Sequence, residues 1–401
     1  MQDVFSGSFT QQEPIPDEAI AAAVAVMRHG RLHRYNTVAG ETAEAALLEE
    51  EFAATVGAKY CLAVASGGYA LGCALRAVGV KAGDRVLTNA FTLAPVPGAI
   101  ASLGAVPVFV EVTEALTIDL EDLAAKVTTG GPRVLLLSHM RGHLCDMDRL
   151  MEICNGAGVV VVEDCAHTMG AAWRGVPSGR HGAVGCYSTQ TYKHMNSGEG
   201  GLLVSDDAEV MARAVILSGS YMLYGRHKAA PPPEMFERVK YETPNISGRM
   251  DNLRAAILRP QLRRLAHQCA AWNARYACVE DGLRATPGLN VIARPEAETY
   301  VGSSIQFLLP DWAAADVQAV IARCLARGVE LKWFGAEEPV AFTSRYDSWR
   351  YVEAPRLPRT DRVLAALLDM RLPLTFSLAD CALIARIIRA EVSAVWQARV
   401  A

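Results

Sequence analysis

Residues 159–206 read VVVVEDCAHTMGAAWRGVPSGRHGAVGCYSTQTYKHMNSGEGGLLVSD, and this stretch decides the fold. A run of four valines ends at Glu163 and Asp164, and two further apolar runs, AVGCYS and GLLVS, enclose a polar loop. Continuous apolar runs of this length are typical of strands that are buried on both faces. The stretch therefore predicts three strands of a covered sheet, with polar residues at the strand ends.

The same alternation extends upstream of this stretch. The apolar runs KYCLAVA, DRVLTNAF, VPVFVEV and RVLLLSH alternate with helical segments such as YALGCALRAVGV and MDRLMEICNGAG. Strands that alternate with helices predict a mostly parallel sheet covered on both faces. We therefore predict an α/β chain in which residues 1–258 form an N-terminal arm and a large three-layer domain.

A second, smaller domain is predicted downstream. A long loop over residues 219–245 contains three consecutive prolines, and a strongly helical segment follows it. Beyond that helix, SSIQFLLP and VELKWF read as strands around the helix AADVQAVIARCLARG, and Ser377 and Asp380 have capping-box spacing before a final helix. We predict a linking helix and a small α+β C-terminal domain over residues 259–401.

Composition excludes several classes of protein. Hydrophobic residues make up 51% of the 401 residues and charged residues 20%, and the formal net charge is −4. This favours a well-buried globular protein, without the basic field that would bind nucleic acid or an anionic membrane. The ten cysteines include no C-x-x-C pair, and no apolar run reaches the roughly 20 residues of a membrane helix. The first residues have no basic start followed by an apolar core, so we expect no secretion signal. We expect free thiols and a cytoplasmic location.

Candidate functional residues follow the predicted strands. After the first strand, Ser66-Gly67-Gly68 opens a helix, where backbone N–H groups freed of side chains can bind an anion. Taken alone, these glycines are more often a tight strand–helix turn without a ligand. Because the carboxyl ends of parallel strands meet at one edge of a sheet, the turn is expected to lie near Asp164.

Asp164 and Lys193 are the strongest candidates for chemistry. A carboxylate at a strand end can sit against a heterocyclic nitrogen and keep it protonated, and His167 could contact the same ring. Lys193 follows Asp164 by 29 residues, in the loop between two predicted strands. A partly desolvated lysine has a lowered pKa and attacks carbonyl groups. A capping aspartate and a solvated loop lysine are the alternatives.

Together these segments resemble the DegT/StrS group of sugar aminotransferases, within the fold-type I pyridoxal-phosphate enzymes. The resemblance covers roughly residues 15–390 and is densest over residues 163–207. Further matching blocks are ASGGYALGCALRAVGV, GAVPVFVEV and RMDNLRAAILRPQL. It implies an aspartate-aminotransferase-like fold and a homodimer whose active sites lie near the subunit interface.

The resemblance also implies the cofactor and the roles of three residues. Pyridoxal 5'-phosphate is expected to be joined to Lys193 through a Schiff base, and Lys193 is expected to move a proton between the cofactor and the substrate. Asp164 is expected to pair with the pyridine nitrogen and make the ring an electron sink. His167 stands where the family has Gln or His near the ring oxygen.

The phosphate group of the cofactor is expected to be held by Ser188, Gly67 and the N–H group of Gly68. Here the sequence departs from the family, because the usual Ser-Gly-Thr reads Ser66-Gly67-Gly68. The departure removes one hydroxyl contact to the phosphate.

Two further departures concern contacts around the cofactor. The family's Asn-x-Arg block reads SGR at residues 247–249. In the family that asparagine reaches the phosphate across the dimer interface, so either Ser247 or Asn245 replaces it or the contact is lost. The aromatic residue that covers the ring is replaced by Leu93. Phe91 is the candidate to stack on the ring instead, and a core position for Phe91 is the alternative.

The activity implied by the resemblance is amino transfer in two half-reactions. Glutamate or glutamine donates the amino group, and a keto- or aldehydo-sugar, a sugar nucleotide or a cyclitol accepts it. Relatives that deoxygenate sugars carry histidine in place of the lysine, so Lys193 favours transamination. A lyase or dehydratase such as the aminohydroxybenzoate-forming relatives shares the same cofactor residues and stays open, as does a non-catalytic cofactor-binding sensor.

The segment HMRGHLC contains His139, His143 and Cys145, a combination that suggests zinc. Gly142 and the preceding strand place it in a turn, where the helical spacing of metal ligands does not apply. We therefore predict no metal site, and a turn that lines the active site.

Overall fold

The computed structural model describes residues 3–128 and 131–400. Within them the strands are β1 (Tyr60–Val64), β2 (Arg85–Asn89), β3 (Val106–Val110), β4 (Val134–Ser138), β5 (Val160–Asp164), β6 (Ala172–Trp173), β7 (Val176–Pro177), β8 (Val184–Ser188), β9 (Gly201–Ser205), β10 (Asn290–Val291), β11 (Glu298–Thr299), β12 (Ser304–Leu308), β13 (Lys332–Trp333) and β14 (Leu367–Arg371).

The α-helices in the same residues are α1 (Asp17–His29), α2 (Glu44–Val56), α3 (Gly67–Ala77), α4 (Pro95–Ser102), α5 (Leu120–Lys126), α6 (Met147–Ala157), α7 (Ala208–Ser218), α8 (Pro233–Val239), α9 (Asn252–Leu283), α10 (Ala314–Ala326), α11 (Pro358–Ala366) and α12 (Leu378–Val400).

The large domain is built on a seven-stranded sheet in the order β1-β9-β8-β5-β4-β2-β3. Strands β2, β3, β4, β5 and β8 pair in parallel, and only β9 runs against its neighbours β1 and β8. The predicted mostly parallel α/β sheet is therefore confirmed.

Both faces of this sheet are covered, which explains the continuous apolar runs in the sequence. In β4, Val134 and Leu136 pack with α3, α4 and α7, while Leu135 and Leu137 pack with α5 and α6 on the opposite face. Successive side chains of a strand point to opposite faces, so a strand between two helical layers needs apolar residues at every position. The result is the expected three-layer domain.

One edge of the sheet collects the ends of the strands that carry the candidate residues. In the strand register Ser138 lies beside Asp164, and Ser188 and Val64 both lie beside Gly201. Strands β1, β4, β5 and β8 therefore finish at the same edge. The polar segments that follow them are brought together by this topology, as the sequence predicts.

The small domain contains an antiparallel sheet in the order β10-β12-β14-β13. Strand β14 is absent from the sequence-based prediction. Leu368 and Met370 of this strand face the apolar core of the small domain, and Asp369 and Arg371 alternate with them on the other face. The capping box is confirmed, because the N–H groups of Ser377 and Asp380 each bond the other residue's side chain.

Helix α9 crosses the predicted division between residues 258 and 259. Its first half packs in the large domain through Ala255 and Leu262, and its second half packs in the core of the small domain through Val279 and Leu283. We keep residue 258 as a proposed boundary, with α9 as the element that both domains share.

The N-terminal arm packs against the small domain, although the sequence-based division groups it with the large one. Phe5 and Phe9 lie edge-on to the ring of Phe376, with centroid distances of 4.9 and 5.0 Å. The N–H group of Phe5 also bonds the carbonyl of Arg327 at 2.9 Å. The first residues of the chain therefore pack against its C-terminal part.

All ten cysteines are free thiols, and eight of them are buried. Among the helices of residues 3–128 and 131–400, none is both long enough and apolar enough to cross a membrane.

Candidate active site

A cavity of about 500 Å³ opens at the edge of the sheet where the four strands end. Six of the residues predicted to form the site line it together: Gly67, Gly68, Asp164, His167, Ser188 and Lys193. The fold therefore assembles, in one cavity, a glycine turn, a carboxylate, an imidazole and an amine that are far apart in the sequence.

Lys193 is held by His167 on the floor of this cavity. The Nζ atom of Lys193 lies 2.8 Å from Nε2 of His167, and the backbone N–H of Arg141 donates to the other ring nitrogen, Nδ1, at 3.4 Å. Because Nδ1 accepts a bond, the neutral imidazole carries its proton on Nε2 and donates it to the lysine. This arrangement selects the unprotonated amine, which has a lone pair to accept the bond.

The electrostatics favour the same form of the amine. Burial and the nearby guanidinium groups of Arg141 and Arg371 lower the pKa of Lys193 to about 7, although the charge of Asp164 opposes them. Burial also holds the pKa of His167 well below its usual value, with the charges of Lys193 and Arg141 adding to the effect. Near neutral pH, a large share of Lys193 is therefore a neutral nucleophile beside a neutral imidazole.

Asp164 is a partly buried carboxylate held by two neutral donors. Its Oδ2 atom accepts a bond from the hydroxyl of Ser138 at 3.1 Å, and its Oδ1 atom accepts one from the N–H of Ala166 at 3.2 Å. Burial raises the pKa of Asp164, while the charge of Lys193 and these bonds act in the opposite direction. Such a carboxylate gains from a cationic partner in the cavity, because burial penalises an unpaired charge.

Glu163, the neighbour of Asp164, points away from the cavity and has a different role. Its carboxylate accepts the backbone N–H groups of Gly179, His181 and Gly182, and it contacts Nε2 of His139 at 3.0 Å. These bonds hold the loop that leads from β7 into β8. The two acidic neighbours therefore have different roles: Glu163 stabilises a loop inside the fold, and Asp164 lines the cavity.

The histidines of the HMRGH turn have separate partners. His139 contacts Glu163, and Nε2 of His143 donates to Oε1 of Gln306 at 2.8 Å. Met140 and Arg141, between the two histidines, stand in the wall of the cavity.

The glycine turn lies directly against the end of β8. The side chain of Ser66 accepts the N–H of Tyr69 and begins α3, whose first N–H groups have no partner within the helix. A Cβ atom at Gly67 would come 2.8 Å from Cβ and 3.1 Å from Oγ of Ser188. The close approach requires glycine at residue 67 and places the serine hydroxyl beside the start of the helix.

Three other predicted residues are not in the wall of the cavity. Phe91 is buried in the core, edge-on to Phe334 with ring centroids 5.1 Å apart, and Leu93 lines the cavity instead. Asn245 and Ser247 lie at the surface of the same subunit. The single chain therefore supports a core position for Phe91, and neither Asn245 nor Ser247 borders this cavity.

The residues predicted from the sequence do not include two arginines of the cavity wall, Arg141 and Arg371. Arg371 extends from the end of β14, and Arg141 stands in the turn after β4 with a positive φ of 56°. The alternation in LLDMR was the available signal for a strand with Arg371 on a polar face. Nothing in the sequence indicates the backbone conformation that turns Arg141 inward.

Comparisons with known proteins give a consistent result. Residues 15–389 match the model of the DegT/DnrJ/EryC1/StrS aminotransferase family. A putative L-glutamine:3-amino-2,3-dideoxy-scyllo-inosose aminotransferase of Streptoalloteichus tenebrarius is 31% identical over 309 residues, which are 75% of this chain and 72% of the relative.

Two solved structures of similar sequence have the same fold. The 3-amino-5-hydroxybenzoic acid synthase is 26% identical, with a TM-score of 0.82 over 96% of this chain and 99% of the other. DesV of S. venezuelae, solved in complex with a ketimine intermediate, is 27% identical, with a TM-score of 0.79 over 96% and 99%.

Proposed function

Because the chain belongs to the DegT/DnrJ/EryC1/StrS aminotransferase family, we propose that it transfers an amino group from glutamine or glutamate to a keto- or aldehydo-sugar or a cyclitol. One observation carries the proposal. An amine with a pKa near 7 and a partly buried carboxylate share a cavity with a glycine turn at the edge of the sheet.

These residues fit pyridoxal 5'-phosphate. Within residues 3–128 and 131–400, the hydrogen-bond donors to the Asp164 carboxylate are the neutral groups of Ser138 and Ala166, so a pyridinium N–H suits it. The hydroxyl of Ser188 and the first N–H groups of α3, at Gly67 and Gly68, would hold the phosphate. When bound, this cofactor supplies an aldehyde that condenses with amines and a ring that accepts the electrons of a breaking C–H bond.

The chain's own residues would then control the protons. Lys193, with its low pKa, takes a proton from the substrate carbon and returns it, and His167 orients the amine through the 2.8 Å contact. Asp164 would keep the ring nitrogen protonated.

The donor and acceptor classes follow from the relatives. The Streptoalloteichus tenebrarius relative is named for L-glutamine as donor and a keto-inosose as acceptor. We extend both classes to this chain, with glutamate as a further donor and sugar nucleotides among the acceptors.

The working unit is proposed to be a homodimer. Tyr221, Met222 and Ile246 expose 62%, 58% and 43% of their surface in the loop that also carries Asn245 and Ser247. The carbonyl of the next residue, Gly248, accepts the N–H of Ala65 just before the glycine turn, so this loop lies beside the phosphate end of the cavity. A second copy on this face would bury the apolar side chains and could receive Asn245 or Ser247.

A lyase or dehydratase is the second candidate, since the fold matches that of 3-amino-5-hydroxybenzoic acid synthase. One experiment separates the two. Purified holoenzyme is mixed with single amino acids in the absence of any acceptor, and keto acid and absorbance are followed. Transamination predicts one equivalent of keto acid per active site from glutamine or glutamate. A holoenzyme that releases no keto acid from any amino acid but eliminates water from a cyclic substrate would favour the lyase.

Gly67→Ala is expected to weaken binding of the cofactor by tenfold or more (about 1.4 kcal/mol), because the new methyl group pushes the Ser188 hydroxyl away from the helix start. Gly68→Ala is the matched control. The nearest described atom to a Cβ there is Cβ of Pro95, at an ordinary 3.8 Å, so this variant should bind the cofactor about as well as the wild type. The measurement is titration of each apoenzyme with pyridoxal 5'-phosphate. Equal affinities for the two variants would contradict the role of Gly67.

Capture of pyridoxal 5'-phosphate by the apoenzyme is expected to depend on pH with a midpoint near 7. Lys193 has a lowered pKa, so its reactive neutral form is present above about pH 7 and is lost as pH falls below it. The capture rate should fall about tenfold per pH unit on the acid side and level off on the alkaline side. Stopped-flow absorbance measures it, with N-acetyl-lysine as the control whose rate keeps rising toward pH 10. A rate for the apoenzyme that still rises at pH 9 would refute the lowered pKa.

A further inference from the structure

Two arginines form a cationic wall on the side of the cavity that lies next to Lys193. Arg141 is only 6% exposed, and its guanidinium lies 4.8 Å from the ring centre of Phe342. The guanidinium of Arg371 lies 4.9 Å from the same ring and 3.8 Å from the ring of Tyr192. Aromatic faces hold both planar groups and leave their N–H edges available for hydrogen bonds.

This wall has more positive than negative charge. Arg141 pairs with Asp369, Nη2 to Oδ2 at 2.9 Å, and within residues 3–128 and 131–400 Arg371 makes no ion pair. Nε of Arg141 is buried without a hydrogen bond in that part of the chain. Buried charges and donors are normally paired, so a bound anion would complete the wall.

Asp369 does not have to leave Arg141 when the anion binds. Oδ1 of Asp369 accepts a bond from Nε2 of Gln306 at 2.7 Å, and Oε1 of Gln306 accepts one from His143 at 2.8 Å. This chain of bonds holds the carboxylate behind the arginine. The strained φ of 56° at Arg141 is the conformation that turns its side chain from the β4 end into the cavity.

The wall is separate from the end of the cavity that suits a phosphate. The cleft that continues the cavity past Lys193 is lined by Arg141, His167 and Arg371, and neither the glycine turn nor Ser188 borders it among the described residues. An anion bound there is close to the amine that handles the reacting carbon. A substrate anion bound there would lie within a few bonds of that carbon.

We propose that Arg141 and Arg371 form a clamp for a substrate carboxylate beside Lys193. The proposal rests on the amino transfer proposed above and specifies its substrates further. A planar carboxylate matches the paired N–H groups of a guanidinium, and two guanidiniums can share its two oxygens. The carboxylate can come from the amino donor or from an acidic acceptor, and the two sources are separated below.

Binding is tested without turnover. Glutarate, a dicarboxylate with no amine to transfer, is titrated into the holoenzyme by calorimetry. Arg371→Gln is expected to weaken glutarate binding about 10- to 100-fold, because a charge-assisted bond is lost. Arg141→Lys keeps the charge but loses the paired N–H groups, so a smaller loss is expected. Arg389→Gln, an exposed position on α12, is the matched control and should bind as the wild type does.

The source of the carboxylate is tested in the two half-reactions. A loss in Arg371→Gln with L-glutamate but not with 4-aminobutyrate, which lacks the α-carboxylate, assigns the clamp to the donor. A loss with a keto-sugar acid but not with a neutral keto-cyclitol assigns it to the acceptor. Both results support the clamp.

Two results would overturn the clamp. One is a glutarate affinity within threefold of the wild type in both arginine variants. The other is weaker binding of inorganic phosphate without any weaker binding of glutarate. If the wild type transfers no amino group at all, the proposed function fails, while the glutarate titration still decides the clamp independently.

Discussion

Lys193→Ala is expected to abolish covalent retention of pyridoxal 5'-phosphate and to lower amino transfer by at least about 10²- to 10⁴-fold, the usual contribution of a positioned acid–base group. The variant loses the amine with a pKa near 7, the partner of His167 and the group that moves the proton. The measurements are the yellow absorbance of the purified protein, the incorporation of cofactor after borohydride reduction, and the rate with glutamine or glutamate.

Two controls make the result specific for the amine. Lys228→Ala removes an exposed lysine paired with Glu50 at the surface, and it should leave colour and rate unchanged. Methylamine added to Lys193→Ala should restore part of the rate, since a small amine can occupy the space that the side chain leaves. A variant that stays yellow and is still fixed by borohydride would show that another group holds the cofactor.

The main elements of the site could be predicted from the sequence because buried strands are apolar at every position and become polar where they leave the core. VVVV before Glu163 and Asp164 is apolar at every position since β5 lies between two helical layers, and the chain turns polar where the strand leaves the core. The carboxyl ends of parallel strands meet at one edge of a sheet, so the proximity of Asp164, Ser188 and the glycine turn could be predicted from the sequence.

The parts that were missed depend on packing between distant segments. In LLDMR, Asp369 and Arg371 interrupt the apolar pattern, so the sequence does not indicate a buried strand there. The structure explains the pattern, because Arg371 on the polar face of β14 borders the cavity. The inward position of Arg141 follows from a left-handed backbone conformation that no local pattern requires. Phe91 was the candidate to stack on the cofactor ring, but it packs instead against Phe334 of the small domain, more than two hundred residues away.

Asp164→Asn is expected to lower turnover about 10- to 10³-fold while the fold stays intact. An opposite charge within a few ångströms shifts a pKa by about 1–3 units, so a neutral amide would leave the ring nitrogen protonated in a correspondingly smaller fraction of molecules. The amide keeps the size of the carboxylate, and burying it costs less than burying a charge. The melting temperature of the apoenzyme should therefore not fall.

The same substitution should also change the titration of Lys193, and this second effect separates an electrostatic role from a structural one. Asp164 raises the pKa of Lys193 against the effect of burial and of Arg141. Without that charge the pKa falls, so the midpoint of cofactor capture should move below pH 7. Ser138→Ala removes one hydrogen bond to the same carboxylate and keeps its charge, so it should cost at most about tenfold in rate. A normal rate and an unchanged midpoint in Asp164→Asn would mean that the carboxylate faces neither the ring nitrogen nor the amine, and the site would then lack the charge that its chemistry requires.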